Sequence, residues 1–256
     1  MHSRTISSLQ HPLVKHLVKL RQSREYRHAC RKIVLSGVKL IKELSSQFRL
    51  RTLLLEEDTM FLPKAEGIVD QIFCVTKEIL KKVTGLENPE PVAAEIDMPL
   101  PGNLSNANFL LILDGVSDPG NLGTLLRTAL ALGWDGAYLT PGSTDPFNEK
   151  AIRAAKGATF TFPWKSGTWE ELSLLLRDKK MTVIAADASG DDLAHCKVVP
   201  PIALALGNEA HGLNPELKEI AKWIAIPMQK TMESLNVATA GAIFMYELKG
   251  RPDEQR

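Results

Sequence analysis

Three short polar segments, far apart in the chain, carry residues that an ordinary core does not need. The first is Asp118-Pro119-Gly120-Asn121-Leu122-Gly123-Thr124-Leu125-Leu126-Arg127. The second is Leu206-Gly207-Asn208-Glu209-Ala210-His211-Gly212-Leu213, and the third runs from Ile226 to Ala238 through Met228, Ser234, Leu235 and Asn236. Gly120 and Gly123 permit close backbone approach at a strand-to-helix turn. Arg127 follows Asn121 by six residues, so in a helix that starts near Asn121 it sits within the first two turns. A cation there gains nothing from the helix dipole, which favours anions at that end. A planar guanidinium does suit phosphate oxygens. The competing account is a surface arginine behind an asparagine cap. Glu209, the one acid of the second segment, either serves a ligand or caps a turn. Ser234 and Asn236 fit N-caps of a last helix, but capping does not account for Ile226, Pro227, Met228 and Leu235 around them. An apolar wall beside exposed backbone donors suits an adenine ring.

The elements that must position these residues can be read from the apolar pattern. Each segment follows an apolar run that reads as a buried strand: Leu110–Leu113, Ile202–Leu206 and Trp223–Ile226. Helices are expected from about Leu122, over Pro215–Ile220 and over Leu235–Leu248. Further strands at Ala137–Leu139 and Thr182–Ala186 alternate with helices near Glu149–Ala155 and Thr168–Arg177, the pattern of a covered parallel sheet. Strand ends in such a sheet converge on one edge, where α/β proteins place ligands. The first hundred residues form a smaller α/β block. Leu13, Val14, Leu17, Val18 and Leu20 have helical spacing; strands are expected at Ile33–Leu35, Leu50–Leu55, Ile72–Val75 and Val92–Ile96. Gly37–Leu44 fits a helix, and Thr76 is a cap candidate for Lys77–Lys82. Pro99, Pro101, Gly102 and three asparagines by position 108 look like a linker. The division expected is therefore residues 1–100, a linker over 101–107, and 108–256.

The dinucleotide fingerprint GxGxxG and the phosphate-loop pattern GxxxxGK[ST] are both absent, which disfavours a nicotinamide enzyme and a P-loop NTPase. Cys30, Cys74 and Cys196 are widely spaced and read as reduced thiols of a cytosolic protein, without a disulfide framework or a metal site. No apolar run reaches bilayer-spanning length, so no membrane role is expected. The net charge of +1 hides an asymmetry. Residues 1–51 hold twelve Lys/Arg against two acids, or +10, leaving 19 Lys/Arg against 28 acids, or −9, for the rest. A polyanion partner at the basic end, a solvated helix surface and a transit peptide are three accounts of that bias.

Taken in order and spacing, the three segments resemble the three motifs of the SpoU (TrmH) branch of the SPOUT RNA methyltransferases, over residues 108–250. Ile152-Arg153-Ala154-Ala155-Lys156-Gly157-Ala158 also resembles a family segment, although family members often have Ser and Met at positions 155 and 156. The first hundred residues resemble, more weakly, an L30e-like substrate-binding domain. The resemblance implies a parallel-sheet domain with a C-terminal trefoil knot and a cytoplasmic homodimer sharing its active sites. It implies S-adenosyl-L-methionine held around Leu206, Gly207, Ile226, Met228 and Leu235, with no metal. The reaction implied is methyl transfer to a ribose 2′-hydroxyl of ribosomal RNA, gripped through the basic N-terminal region up to Arg51. Arg127 is then essential, as proton acceptor or as stabiliser of a phosphate or alkoxide; Asn121 and Glu209 position the ribose and Arg127. Ser234 and Asn236 order the cofactor loop and the substrate. A tRNA 2′-O-methyltransferase of the same branch and a non-catalytic RNA-binding or ribosome assembly protein are the alternatives.

Overall fold

The structure, a computed structural model, describes residues 4–57, 59–60, 68–208, 212–229, 231–232 and 234–249. The chain divides into two compact units. One comprises Met1–Leu100 with Phe147–Glu149, the other Pro101–Pro146 with Lys150–Arg256.

The first unit runs β1 (Arg4–Ile6), α1 (Pro12–Gln22), α2 (Arg24–Cys30), β2 (Lys32–Ser36), α3 (Val38–Leu44), β3 (Leu50–Glu56), β4 (Val69–Val75), α4 (Lys77–Thr84), β5 (Val92–Asp97). Its sheet has the order β1-β4-β3-β5-β2, parallel from β1 to β3 and antiparallel across β5. Val14, Leu17 and Leu20 of α1 and Ile79, Leu80 and Val83 of α4 pack on one face of that sheet, against Leu54, Phe73 and Ala93. Side chains alternate along a strand, so the neighbouring Leu53 and Ala94 serve the other face, and α3 lies against β2 and β5. Glu95, on the α1 face and 3% exposed, accepts bonds from Thr52 Oγ1 (2.8 Å) and contacts His16 Nε2 and Lys32 Nζ, each at 3.0 Å. Burial pushes this carboxyl up, but bonds from His16, Thr52 and Lys32 together outweigh it and hold it below the usual glutamate range.

The second unit runs β6 (Phe109–Leu113), α5 (Pro119–Ala131), β7 (Gly136–Leu139), α6 (Glu149–Ala155), α7 (Ala158–Thr161), β8 (Trp164–Ser166), α8 (Trp169–Asp178), β9 (Thr182–Asp192), β10 (Ile202–Leu206), α9 (Pro215–Ile220), β11 (Lys222–Ala225), α10 (Val237–Lys249). Its six strands are all parallel, in the order β11-β9-β10-β6-β7-β8. Every residue of β6 and β10 is buried, as a sheet covered on both faces requires. Leu111, Leu113, Leu204 and Leu206 pack with α5 and α10; Leu110, Ile112, Ala203 and Ala205 pack with α8 and α9. After β6 the chain builds outward through β7 and β8, then crosses over and returns on the other side through β9, β10 and β11. The topological switch point therefore lies between β6 and β10, at the strand ends that carry the first two polar segments.

The expected elements are present, with extensions and four additions, the single-turn α7 among them. β1, α2 and β8 are short and without a clear period, so local pattern does not show them. The helix of the first segment starts at Pro119, capped by the Asp118 side chain accepting from Asn121 N at 2.7 Å, not by an asparagine. Arg127 is thus in its third turn, where the dipole argument made from a later start loses force. Thr76 precedes α4 without a side-chain capping bond. Residues 101–107, expected as a linker, pack on the second unit: Leu104 and Ala107 are buried, and Gly102 N donates to Trp164 O at 2.7 Å.

Candidate active site

The three segments meet at the carboxyl edge of the parallel sheet. Asn236 Nδ2 donates to Asn121 Oδ1 at 3.0 Å and joins the third segment to the first. Asn208 Nδ2 donates to Gly115 O at 2.8 Å and joins the second to the turn after β6. Asn236 is also the N-cap expected for the last helix: its Oδ1 accepts from Ala238 N (2.9 Å) and Thr239 N (3.2 Å). One side chain thus starts α10 and fixes it against the start of α5. Ser234 makes no such cap and faces a cleft instead.

The second segment is folded back on itself. Asn208 and Gly212 exchange backbone bonds of 3.2 and 2.8 Å. A Cβ on Gly207 would stand 2.6 Å from Gly212 C and 2.8 Å from both Gly212 O and Leu213 N, so only glycine fits that turn. Beneath it lies Asp114, buried at the end of β6. Its carboxylate accepts from Thr140 Oγ1 (2.9 Å) and Asn214 N (2.6 Å). Burial pushes the Asp114 carboxyl above its ordinary value, against those two bonds. Asn208 and Asn214 therefore anchor the two ends of the loop on residues 115 and 114. Glu209, the expected catalytic acid of this loop, lies outside the described residues.

Beside these segments opens a cleft of roughly 440 Å³, counting its mouth to solvent. Ile226, Met228, Ser234 and Leu235 of the third segment line it, with Ala240 and Phe244 of α10 and Ala186, Asp187 and Ala188 of β9. The mostly apolar wall, open to solvent at its mouth, suits the face of a nucleoside base. Asp187 is its one acid among the described residues, held by Ser189, whose N and Oγ donate to Oδ1 at 2.9 and 2.6 Å. Of the residues expected to hold a cofactor, Ile226, Met228 and Leu235 are in the wall. Leu206 is not: it is core, packed with α5 and α10. Gly207 shapes the neighbouring turn without lining the cleft. The β9 residues and Phe244 were not anticipated. For the β9 residues the sequence signal was the polar break Asp187-Ala188-Ser189-Gly190 after an apolar strand, the same signature that marked the other segments; Phe244 carried no such signal. Arg127 projects from α5, exposed, with no partner among the described residues. No three His, Cys, Asp or Glu among the described residues gather so as to hold a metal ion.

A model of the SpoU rRNA methylase family matches residues 108–246, more than half of the chain. The chain belongs to the SpoU rRNA methylase family. A second model, of an MRM3-like substrate-binding domain, matches residues 11–94. Among curated SpoU relatives, the Bacillus subtilis 23S rRNA (guanosine(2553)-2′-O)-methyltransferase RlmP is 32% identical over 96% of this chain and 99% of its own length. The Neisseria meningitidis 23S rRNA (guanosine-2′-O-)-methyltransferase RlmB is 36% identical over 57% of this chain and 60% of its own. A crystal structure of an AdoMet-bound rRNA methyltransferase from Sinorhizobium meliloti superposes with a TM-score of 0.86 at 28% identity, covering 96% of this chain and 97% of that one. The SpoU assignment therefore rests on both units.

Proposed function

We propose that the protein transfers a methyl group from S-adenosyl-L-methionine to a ribose 2′-hydroxyl of ribosomal RNA. The observation that carries this reading is the cleft built by the third segment at the edge of a SpoU sheet, with Asn236 bonded to Asn121 beside it. Ile226, Met228, Leu235 and Phe244 offer the apolar wall that an adenosine needs, and Ser234 and Asp187 offer polar contacts for its sugar or amino-acid portion. Bound there, the cofactor supplies a sulfonium methyl, already a good electrophile. The harder task falls to the protein, because a ribose hydroxyl is a weak acid whose negative charge grows as it attacks. Arg127, exposed on α5, offers a planar guanidinium to the substrate phosphate and the developing alkoxide. Asn121 holds the sugar, and Glu209 orients Arg127. Ribosomal rather than transfer RNA is favoured because the similarity to RlmP runs through both units.

Three further features belong to this reading. A trefoil knot is supported by the path of the chain: from the edge strand β11 it crosses back over β9 and β10 to lay α10 against α5. A homodimer is supported by Leu130 of α5 and by Ile243 and Tyr246 of α10, large apolar residues left exposed on two packed helices. Ala238, Met245 and Leu248 of α10 are used in the unit's own core and are not available for an interface. A cytoplasmic location is supported by the ribosomal substrate; among the described residues no helix is long and apolar enough to cross a membrane. Mapping 2′-O-methyl positions in total RNA from cells with and without the gene tests the proposal. One ribosomal site lost with the gene and restored by purified protein and AdoMet is expected; an unchanged ribosomal map would refute it.

A further inference from the structure

Part of the basic excess of residues 1–51 is spent inside the fold, and the rest joins cations from beyond residue 51 on one surface. Arg27 is buried, its Nη1 donating to Leu20 O (2.8 Å) and Arg21 O (2.7 Å). Lys32 is spent on the buried Glu95; Arg49 pairs with Asp70, and Arg51 pairs with Asp70 and Asp97. These cations hold the unit together and are not on offer to a partner. The α1 and α4 helices, by contrast, share one face of the sheet and turn their other sides to solvent together. Lys15 and Lys19 of α1, Arg24 of α2, and Lys77 and Lys81 of α4 are all exposed there, against the two exposed acids Glu25 and Glu78. Two of the five lie beyond residue 51, so the cluster is a product of the fold and not of one basic stretch.

The helix dipole favours Lys19 and Lys81, which lie in the last turns of α1 and α4, but not Lys15 or Lys77. Lys77 opens α4 and Lys15 lies near the start of α1, whose first turn holds no acid. A cation at a helix N-terminus opposes the dipole, and like charges on adjacent helices repel. Lys19 is laid over the Tyr26 ring at 4.4 Å, which fixes one of these charges in place. The α3 side is different: its Lys39 is offset by Glu43 one turn on, and only Lys42 remains.

We infer that the helical face of the first unit made by α1, α2 and α4 is the surface that grips the RNA phosphate backbone, and that the α3 face is not. This rests on the RNA methyltransferase reading, since the match to a substrate-binding domain and the SpoU catalytic unit supply the polyanion. Phosphate contacts give affinity without sequence preference and are read out as salt dependence.

The test uses the full chain and a labelled RNA hairpin titrated across a potassium chloride series. The variant is Lys15→Gln with Lys19→Gln, Lys77→Gln and Lys81→Gln; the control is Lys39→Gln with Lys42→Gln. Each phosphate contact contributes about 0.7–0.9 to the slope of log K against log salt, so loss of four should flatten it by about 3 and weaken binding at least tenfold. Melting temperature and AdoMet affinity should stay at wild-type values in both proteins, and the control should bind RNA normally. A fourfold variant that is folded and keeps wild-type slope and affinity overturns the inference. So does loss of a captured protein partner while RNA binding is unchanged. If the wild type itself neither binds RNA nor transfers methyl groups, the proposed function falls and this inference with it.

Discussion

Gly207→Ala is the sharpest probe of the site because one methyl group is added where the structure leaves no room. The new Cβ would meet Gly212 C at 2.6 Å, Gly212 O at 2.8 Å and Leu213 N at 2.8 Å. All three are backbone atoms, so no side chain can swing away. Relief requires the 207–213 turn to open, which threatens the bonds of 3.2 and 2.8 Å between Asn208 and Gly212. Over-packing of this kind costs about 1–3 kcal/mol, and each lost backbone bond adds about 1 kcal/mol. The local cost is therefore about 2–5 kcal/mol. If half of it falls on the cofactor-bound state, AdoMet affinity drops by roughly 5- to 60-fold, at 1.4 kcal/mol per factor of ten. Gly212→Ala is the internal control: Gly212 has φ +68° but nothing within 4 Å of an added Cβ. It should cost only the left-handed backbone penalty of about 1–2 kcal/mol. Calorimetric titration of AdoMet into both variants, alongside circular dichroism, reads the difference. Wild-type affinity in Gly207→Ala, or a larger loss in Gly212→Ala, would refute the reasoning.

The remaining expectations concern the neighbouring parts of both units. Arg127→Ala should keep stability within about 0.5 kcal/mol, bind AdoMet normally and fail in single-turnover methyl transfer at saturating RNA; a wild-type rate there would remove Arg127 from the chemistry. Asn236→Ala loses the α10 cap and the link to Asn121, and urea denaturation should report a loss of about 1–2 kcal/mol. Glu95→Gln should destabilise the first unit by about 2–4 kcal/mol at pH 7, because it breaks a buried charged network. Since the folded pKa of Glu95 is lowered, its contribution is complete above the ordinary glutamate value of about 4.3 and is lost as pH falls through the lower folded value. The gap between Glu95→Gln and wild type should therefore narrow below about pH 4; a gap that stays constant on acidification would contradict this. Ile243→Glu with Tyr246→Glu should lower the mass seen by light scattering from dimer to monomer without unfolding the chain.

Most strands, most helices and the three polar segments were legible in the sequence, because a covered parallel strand must be a continuous apolar run and a ligand-bearing strand end must break it; the short β1 and β8 were not. Ile226, Met228, Ser234 and Leu235 could be singled out for that reason, and they line the cleft. The family order of the segments added their shared purpose. Proximity was beyond the sequence. That Asn236 bonds to Asn121, 115 positions away, follows from α10 packing on α5, and no local pattern encodes it. Asp187 entered the cleft only because β9 sits beside β11 in the sheet order, although its sequence signature matched the others. Asp114 reads as the end of a strand until the fold buries it under the second segment. The same holds for charge: composition located twelve cations in the first 51 residues, but tertiary structure decided which of them neutralise buried acids and carbonyls and which face water. Periodicity fixes which side of an element is apolar; only packing decides what that side, and the polar side opposite, will meet.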